Sequence, residues 1–278
     1  MRTKKVLAFD IDQTLNIAKT PIPDEIAKLL IELLPYYEIC PISGQKFEQF
    51  LIQIVNPLLE NGVHAVALSH LHLFVAQGTQ YYQYYPGGYS DKAFQVSITS
   101  DRTPYNEKNW HLEYDYPLEK AEVEKLFRVL EESAKETGYW EEDKLAKGDE
   151  IIEDRHSMVA FSALGQKAGT EEKYAWDPDT KKRQEIVKKA IEKAPEFQFE
   201  IGGTTSINAF RQGMNKKFGM EMILKELGVK KKDILYFGDM TQPGGNDYPV
   251  VEMGIDTITV RSHEDTAYAL RGILGVIK

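Results

Sequence analysis

Five short apolar runs constrain this chain more than anything else in it: Val6 to Phe9, Glu38 to Ile42, His64 to Leu68, Ile234 to Phe237 and Thr257 to Val260. Runs of this length that stay apolar, instead of alternating, suit strands buried on both faces, which is the condition of a parallel sheet. Helical patterns lie between them. One covers Asp24 to Leu34 behind Pro23, with apolar positions at Ile26, Leu29, Leu30 and Leu33; another covers Lys46 to Leu59 behind the Ser43-Gly44 turn. Strand alternating with helix predicts an α/β fold whose parallel sheet is flanked by helices.

The alternation breaks between about Gln83 and Ser206. There the chain carries Gly87-Gly88, a tyrosine-rich stretch (Tyr81, Tyr82, Tyr84, Tyr85, Tyr89) and alternating residues from Phe94 to Ile98. Long amphipathic helices are expected over Leu118 to Thr137 and Thr180 to Lys193, with strands over Ser157 to Leu164 and Phe197 to Ile201. The acidic stretch Trp140 to Asp154 reads as a solvated loop. These features predict an α+β domain, residues 86–208, inserted into a catalytic core made of 1–85 and 209–278, and a length of 278 residues suits two such domains.

Composition narrows the function. The formal charge is −9 and the basic residues are scattered, which argues against nucleic acid as a partner. No segment has the apolar length of a membrane span. Arg2, Lys4 and Lys5 precede an apolar stretch, but Asp10 and Asp12 interrupt it before a signal-peptide core could form, so a cytoplasmic protein is expected. The single cysteine, Cys40, cannot form an intrachain disulfide, and its setting in YEICPI reads as a buried strand. An anionic substrate on such an acidic chain needs local cations or a metal.

Four motifs supply them. FDIDQTL puts Asp10 at the C-terminal end of the first strand and Asp12 two residues on, where ligands of α/β sheets bind. Two carboxylates so placed can divide the labour, one attacking phosphorus and the other handling the leaving group's proton. In PISGQ, Ser43 and Gly44 open a helix, and a hydroxyl with backbone N–H groups there binds a phosphate oxygen. GMNKKFG begins a helix with Lys216 and Lys217; a lysine at the site would hold the nucleophile ionised, although such lysines are more often surface residues. ILYFGDMTQPGGND delivers Asp239 to a Gly-rich loop with Asn246 and Asp247, hard oxygen donors suited to Mg²⁺. Each has a bland alternative as an acidic turn, a helix cap or a solvated lysine; their shared order along the strand ends is the specific signal.

That order resembles the phosphohydrolases and mutases of the haloacid dehalogenase (HAD) superfamily along the whole chain. The insertion resembles the α/β cap of its sugar-phosphatase branch, and GDMTQPGGND, FEIGGTTSINAF and GMNKKF look like variants of eukaryote-type phosphomannomutase motifs. The resemblance implies a Rossmann-like core and a cap that sets specificity. It implies Asp10 as nucleophile and metal ligand, Asp12 as acid/base with its backbone carbonyl on the metal, Ser43 and Gly44 on phosphate, Lys216 as the neutralising lysine and Asp239 as a ligand. Asn246 and Asp247 would lie in or behind the metal shell. For the substrate it implies Lys19, Arg155, Gln166, Ser206 and Asn208. Gln166 and Asn208 depart from the Arg and Asp usual there, Gln13 replaces a glycine, and Lys19 stands for an arginine; Arg211 and Lys167 are candidate replacements for the lost cation. A homodimer formed through the cap is also implied.

The expected activity is Mg²⁺-dependent phosphoryl transfer through an aspartyl-phosphate on a small sugar phosphate. Gln166 tilts the reading toward a sugar-phosphate phosphatase, with phosphomannomutase close behind and a non-catalytic sugar-phosphate sensor third. A zinc site at His64, His70 and His72 is set aside because no carboxylate lies near them in sequence. The tyrosines from Tyr81 to Tyr89 read as hinge packing or a dimer contact.

Overall fold

The computed structural model describes residues 4–17, 20–89, 104–165 and 167–277. The expected strand from Phe94 to Ile98 lies outside them, as do Lys19 and Gln166. Among the described residues the strands in chain order are β1 Val6–Phe9, β2 Glu38–Pro41, β3 His72–Val75, β4 Gln80–Tyr84, β5 Trp110–Asp115, β6 Ile152–Asp154, β7 Val159–Ser162, β8 Phe197–Gly202, β9 Ser206–Arg211, β10 Ile234–Gly238 and β11 Asp256–Thr259. Two compact units emerge, Met1–Asp115 with Lys216–Lys278, and Tyr116–Asn215. Strand pairing explains why these bounds differ from the expected 86–208: β5 pairs with β4 of the first unit, and β9 pairs along its whole length with β8 of the second.

The first unit is built on a parallel sheet in the order β11-β10-β1-β2, and every residue of β1 is buried. The expected strand over His64 to Leu68 is instead part of a 3₁₀ helix, Ala65–His70. Chain extension resumes later, where Leu71 and Phe74 form isolated parallel bridges to Ile39 and Ile42, and β3 pairs antiparallel with β4. Both stretches are apolar, so periodicity could not choose between them. The tyrosines mostly belong to this second sheet, β3-β4-β5: Tyr81 and Tyr84 are buried, and Tyr81 stacks on Phe74 with ring centroids 4.7 Å apart. They pack a strand rather than a hinge. The expected helix over Lys46 to Leu59 is present as Phe47–Phe50 and Asn56–Glu60 joined by a π-helical turn, Leu51–Val55.

Folding supplies His70 and His72 with the carboxylate that the sequence withheld. Glu38 accepts from His72 Nε2 at 2.8 Å and meets His70 Nδ1 at 3.2 Å. Burial would raise the Glu38 pKa, yet the hydrogen bonds from His70 and then His72 bring it down to about 2, and Glu38 in turn raises that of His70. The depressed Glu38 value adds stability above its ordinary 4.5 that is lost as pH falls toward about 2. The raised His70 value adds stability below its ordinary 6.5 that is lost as pH rises through its folded value. Glu38→Gln is therefore expected to lower the urea midpoint most between these two ordinary values and less at either extreme.

In the first unit, Gly219 of the helix Lys216–Glu226 lies against the turn Ala76–Gly78. A Cβ on Gly219 would stand 2.3 Å from Ile42 Cδ1 and 2.5 Å from the Gln77 carbonyl oxygen. Backbone cannot yield cheaply, so Gly219→Ala is expected to cost about 1–3 kcal/mol, read from denaturant midpoints.

The second unit has an antiparallel sheet, β6-β7-β9-β8. The helices Lys120–Glu136 and Lys181–Lys193 bury Leu126, Leu130, Ile186 and Ala190 against Phe161, Ile207 and Ala209 of that sheet. The stretch Trp140 to Asp154 is not wholly a solvated loop, because Ile151 and Ile152 are buried and β6 occupies its end.

Candidate active site

The sheet register assembles the site. Phe9 ends β1 opposite Pro41 of β2 and Phe237 of β10. The residues that follow those strand ends, Asp10, Ser43 and Asp239, therefore emerge side by side at the carboxyl edge of the sheet. The Asp10 N–H donates to the Phe237 carbonyl at 2.9 Å, which extends the pairing to the carboxylate itself. Lys216 then arrives at the start of its helix.

That lysine is fully buried, contrary to the surface reading that its residue type favours. Its Nζ donates to Asp10 Oδ1 at 2.7 Å and to Asp247 Oδ1 at 2.5 Å. Asp247 is held from further sides: Tyr236 OH donates to Oδ1 at 2.5 Å and the Met240 N–H to Oδ2 at 3.0 Å. Asp10, Asp239 and Asp247 each present a carboxylate oxygen, all within 4.8 Å of one another. Three carboxylates against one ammonium leave an excess of two negative charges in a largely buried cluster.

The ionisation of these groups follows from that excess. Burial raises the Asp10 pKa well above the ordinary carboxylate range, Asp247 and Asp239 add to the rise, and Lys216 opposes it. Asp239 is pushed up to about 6, first by burial and next by Asp247. Burial alone would lower the Lys216 pKa, but the Asp10 and Asp247 carboxylates raise it and keep the ammonium charged. A cluster of anions that resist ionising together is one that a cation relieves.

The donor chemistry fits a small hard divalent ion. All the carboxylate donors are oxygens, and Asn246 Oδ1, one residue before Asp247 in the chain, is buried without a partner. Asp10 and Asp239 are the direct donors of choice, since both Asp247 oxygens already accept hydrogen bonds. Asp12 contributes to the electrostatics of Asp239 and accepts a hydrogen bond from Gln45 Nε2 at 3.1 Å. Ser43 is buried, its N–H donating to the Phe74 carbonyl and its own carbonyl accepting from the Gln77 N–H. Sequence reasoning missed Tyr236 and Gln45: the first lies in a run that reads as apolar strand, and the second lies between the Ser43-Gly44 turn and the helix expected from Lys46.

The second unit holds the remaining candidates. Arg155 is nearly buried and donates from Nε to Glu153 at 2.9 Å. Ser206 opens β9, and Asn208 on the same strand is buried with Oδ1 unpartnered. Arg211 is committed elsewhere, donating to both carboxylate oxygens of Glu122 and to the Pro117 carbonyl, the last at 2.9 Å. Lys167 caps a turn, donating from Nζ to the carbonyls of Lys147 at 3.1 Å and Gly148 at 2.8 Å. Both proposed replacement cations thus serve the unit's own structure.

Residues 142–276 match the sequence model of the eukaryotic phosphomannomutase family. A phosphomannomutase of Encephalitozoon cuniculi is 26% identical over 95% of this chain and 91% of its own length. A probable phosphomannomutase of Caenorhabditis elegans is 24% identical over 98% and 96%. In three dimensions, a haloacid dehalogenase-like hydrolase of Bacteroides thetaiotaomicron aligns over 97% of this chain and 99% of its own, at a TM-score of 0.57 and 14% identity. Over nearly its whole length the chain is similar to phosphomannomutases, and it shares the fold of a haloacid dehalogenase-like hydrolase. The IMP-nucleotidase of Plasmodium falciparum shares the fold, with a TM-score of 0.66 over 98% of this chain and 68% of its own, at 14% identity. The similarity to phosphomannomutases supports an enzyme that transfers phosphoryl groups. No helix of the described residues is long and apolar enough to cross a membrane.

Proposed function

We propose that the protein is a Mg²⁺-dependent phosphomannomutase that interconverts hexose 1-phosphate and hexose 6-phosphate through an aspartyl-phosphate on Asp10. One observation carries the mutase over the phosphatase: the similarity to phosphomannomutases runs through the second unit as well as the first, in relatives matched over 95% or more of this chain. The expectation of a phosphatase rested on Gln166 alone, and whole-length similarity outweighs one substitution.

In this reading Asp10 attacks phosphorus in line, forming the acyl phosphate as the bond to the sugar oxygen breaks, and Asp12 gives its proton to that departing oxygen. Lys216 neutralises charge that the attack spreads over the phosphoryl oxygens while it fixes the Asp10 rotamer. Where the sugar attacked is a hexose 1,6-bisphosphate, the aspartyl-phosphate then passes its group to the free hydroxyl of a hexose monophosphate, whose proton Asp12 takes, and a bisphosphate is regenerated. Mg²⁺, held by Asp10 and Asp239 with Asn246 and Asp247 beside them, would lower the repulsion between the anionic nucleophile and the phosphate. Arg155, Ser206 and Asn208 are the groups assigned to the sugar and its distal phosphate, with Ser43 and Gly44 for the phosphate that reacts. Asn208 in place of an acid leaves an amide that can both accept from and donate to a sugar hydroxyl.

The test is an assay of mannose 1-phosphate with Mg²⁺, with and without a catalytic amount of hexose 1,6-bisphosphate, that follows both free phosphate and hexose 6-phosphate. A mutase yields bisphosphate-dependent hexose 6-phosphate with little free phosphate. Free phosphate as the main product would return the protein to the phosphatase reading.

A further inference from the structure

Two buried amides reach the Asp12 loop from the segment that follows β2. Gln45, 5% exposed, donates from Nε2 to Asp12 Oδ2 at 3.1 Å. Gln53, fully buried, accepts from Asn16 Nδ2 at 3.0 Å on its Oε1, and its backbone carbonyl accepts the Ile22 N–H at 2.8 Å. Its own Nε2 donates to Gln49 at 3.1 Å, which fixes the amide's orientation. Between these points the loop is tightly wound, with the Leu15 N–H on the Ile11 carbonyl at 2.8 Å and the Gln13 N–H on the Asn16 carbonyl at 3.0 Å. Gln13 takes a left-handed φ of 65° there, which favours glycine.

Neither glutamine is what packing alone would choose. Gln45 Oε1, Asn16 Oδ1 and Thr14 Oγ1 are all buried without partners, a loss of hydration that apolar side chains of similar size would avoid. Gln53 also sits in the π turn Leu51–Val55, and turns of that kind interrupt helices mostly where a side chain has to be re-aimed. Unfavourable local choices concentrated on one loop indicate that the loop's position matters more than its stability.

We propose that Gln45 and Gln53 are positioning residues for proton transfer, clamping the loop at Asp12 and at Asn16 so that the Asp12 carboxylate keeps a fixed place relative to the scissile oxygen. The proposal rests on Asp12 being the acid/base of the proposed mechanism. Proton transfer in the transition state is sensitive to such placement, and a carboxylate allowed to wander loses part of its catalytic factor without leaving the site.

Leaving-group dependence separates this role from a merely structural one. A hexose 1-phosphate expels an alkoxide-like oxygen that needs a proton, whereas p-nitrophenyl phosphate expels a phenolate that does not. With Mg²⁺ saturating, Gln45→Met and Gln53→Met are expected to slow aspartyl-phosphate formation from the hexose phosphate by about 10-fold, and from the nitrophenyl ester by no more than about 2-fold. Equal slowing of both esters in a folded variant, or no slowing of either, would overturn the proposal. If a methionine variant fails to fold, Gln45→Asn, which keeps the amide but shortens its reach, is put to the same pair of esters with the same outcomes. Asp12→Asn run alongside distinguishes the two levels. A selective loss there without one in the glutamine variants rejects the clamp alone, and no selective loss there rejects the role of Asp12.

Discussion

Asp10→Asn is expected to abolish turnover of every phosphate ester, by at least about 10⁴-fold, while the protein stays folded. An amide has the shape of the carboxylate but no charge and little nucleophilicity, so the step that forms the acyl phosphate has no partner. The electrostatics make this variant unusual among active-site changes. The cluster of Asp10, Asp239 and Asp247 carries two more negative charges than Lys216 can offset, and Asp10→Asn removes one of them. Thermal melts without added metal are therefore expected to show no loss of stability, together with a weaker stabilisation by Mg²⁺ than in the parent. Turnover of any phosphate ester by the parent that is lost in Asp10→Asn would discard the third reading of the sequence, in which the fold only senses sugar phosphates.

Lys216→Met should have the opposite balance, harming stability as well as rate. The ammonium is fully buried and bridges Asp10 and Asp247, and its loss strands both carboxylates away from water. Removing one partner of a buried ion pair typically costs about 3–5 kcal/mol, and a charge-stabilising group lost from a transition state about 10²-fold or more in rate. The stability deficit should depend on pH in a definite direction. Without Lys216 the folded Asp10 carboxylate holds its proton to still higher pH than the unfolded one, so folded protein binds more protons and loses stability as pH rises. Urea midpoints of the variant relative to the parent are expected to be worse at pH 8 than at pH 5, and a deficit that grew on acidification would contradict the assignment.

How far the sequence could be read depends on whether a residue's role was local. Asp10 and Asp239 stand at strand ends that apolar runs reveal directly and converge through parallel register, and Asp247 follows in the loop after the second of these strands. Lys216 was legible only through the resemblance. By residue type alone it belongs on the surface, and what buries it is a pair of carboxylates, 206 and 31 residues away in the chain. The third strand was misplaced because HAVAL and HLFV are equally apolar, and the choice between them was made by bridges to Ile39 and Ile42 that no local pattern encodes. Glu38 became the partner of His70 and His72 for the same reason, since β2 and β3 meet only after folding. Gln45 and Gln53 carried no signal at all, one in the bend before a helix and the other in a π turn, and their meaning comes from the loop they face.

The central claim is that Asp10 carries the phosphoryl group, and the most direct measurement traps it there. The protein is mixed with hexose 1,6-bisphosphate and Mg²⁺, quenched in acid within one turnover and digested, and the peptide containing Asp10 and Asp12 is sequenced by mass spectrometry. An acid-stable, base-labile phosphoryl group is expected on Asp10, slow to form in Asp12→Asn and absent in Asp10→Asn. A phosphoryl group on any other residue, or turnover with no phosphorylated peptide at all, would contradict it.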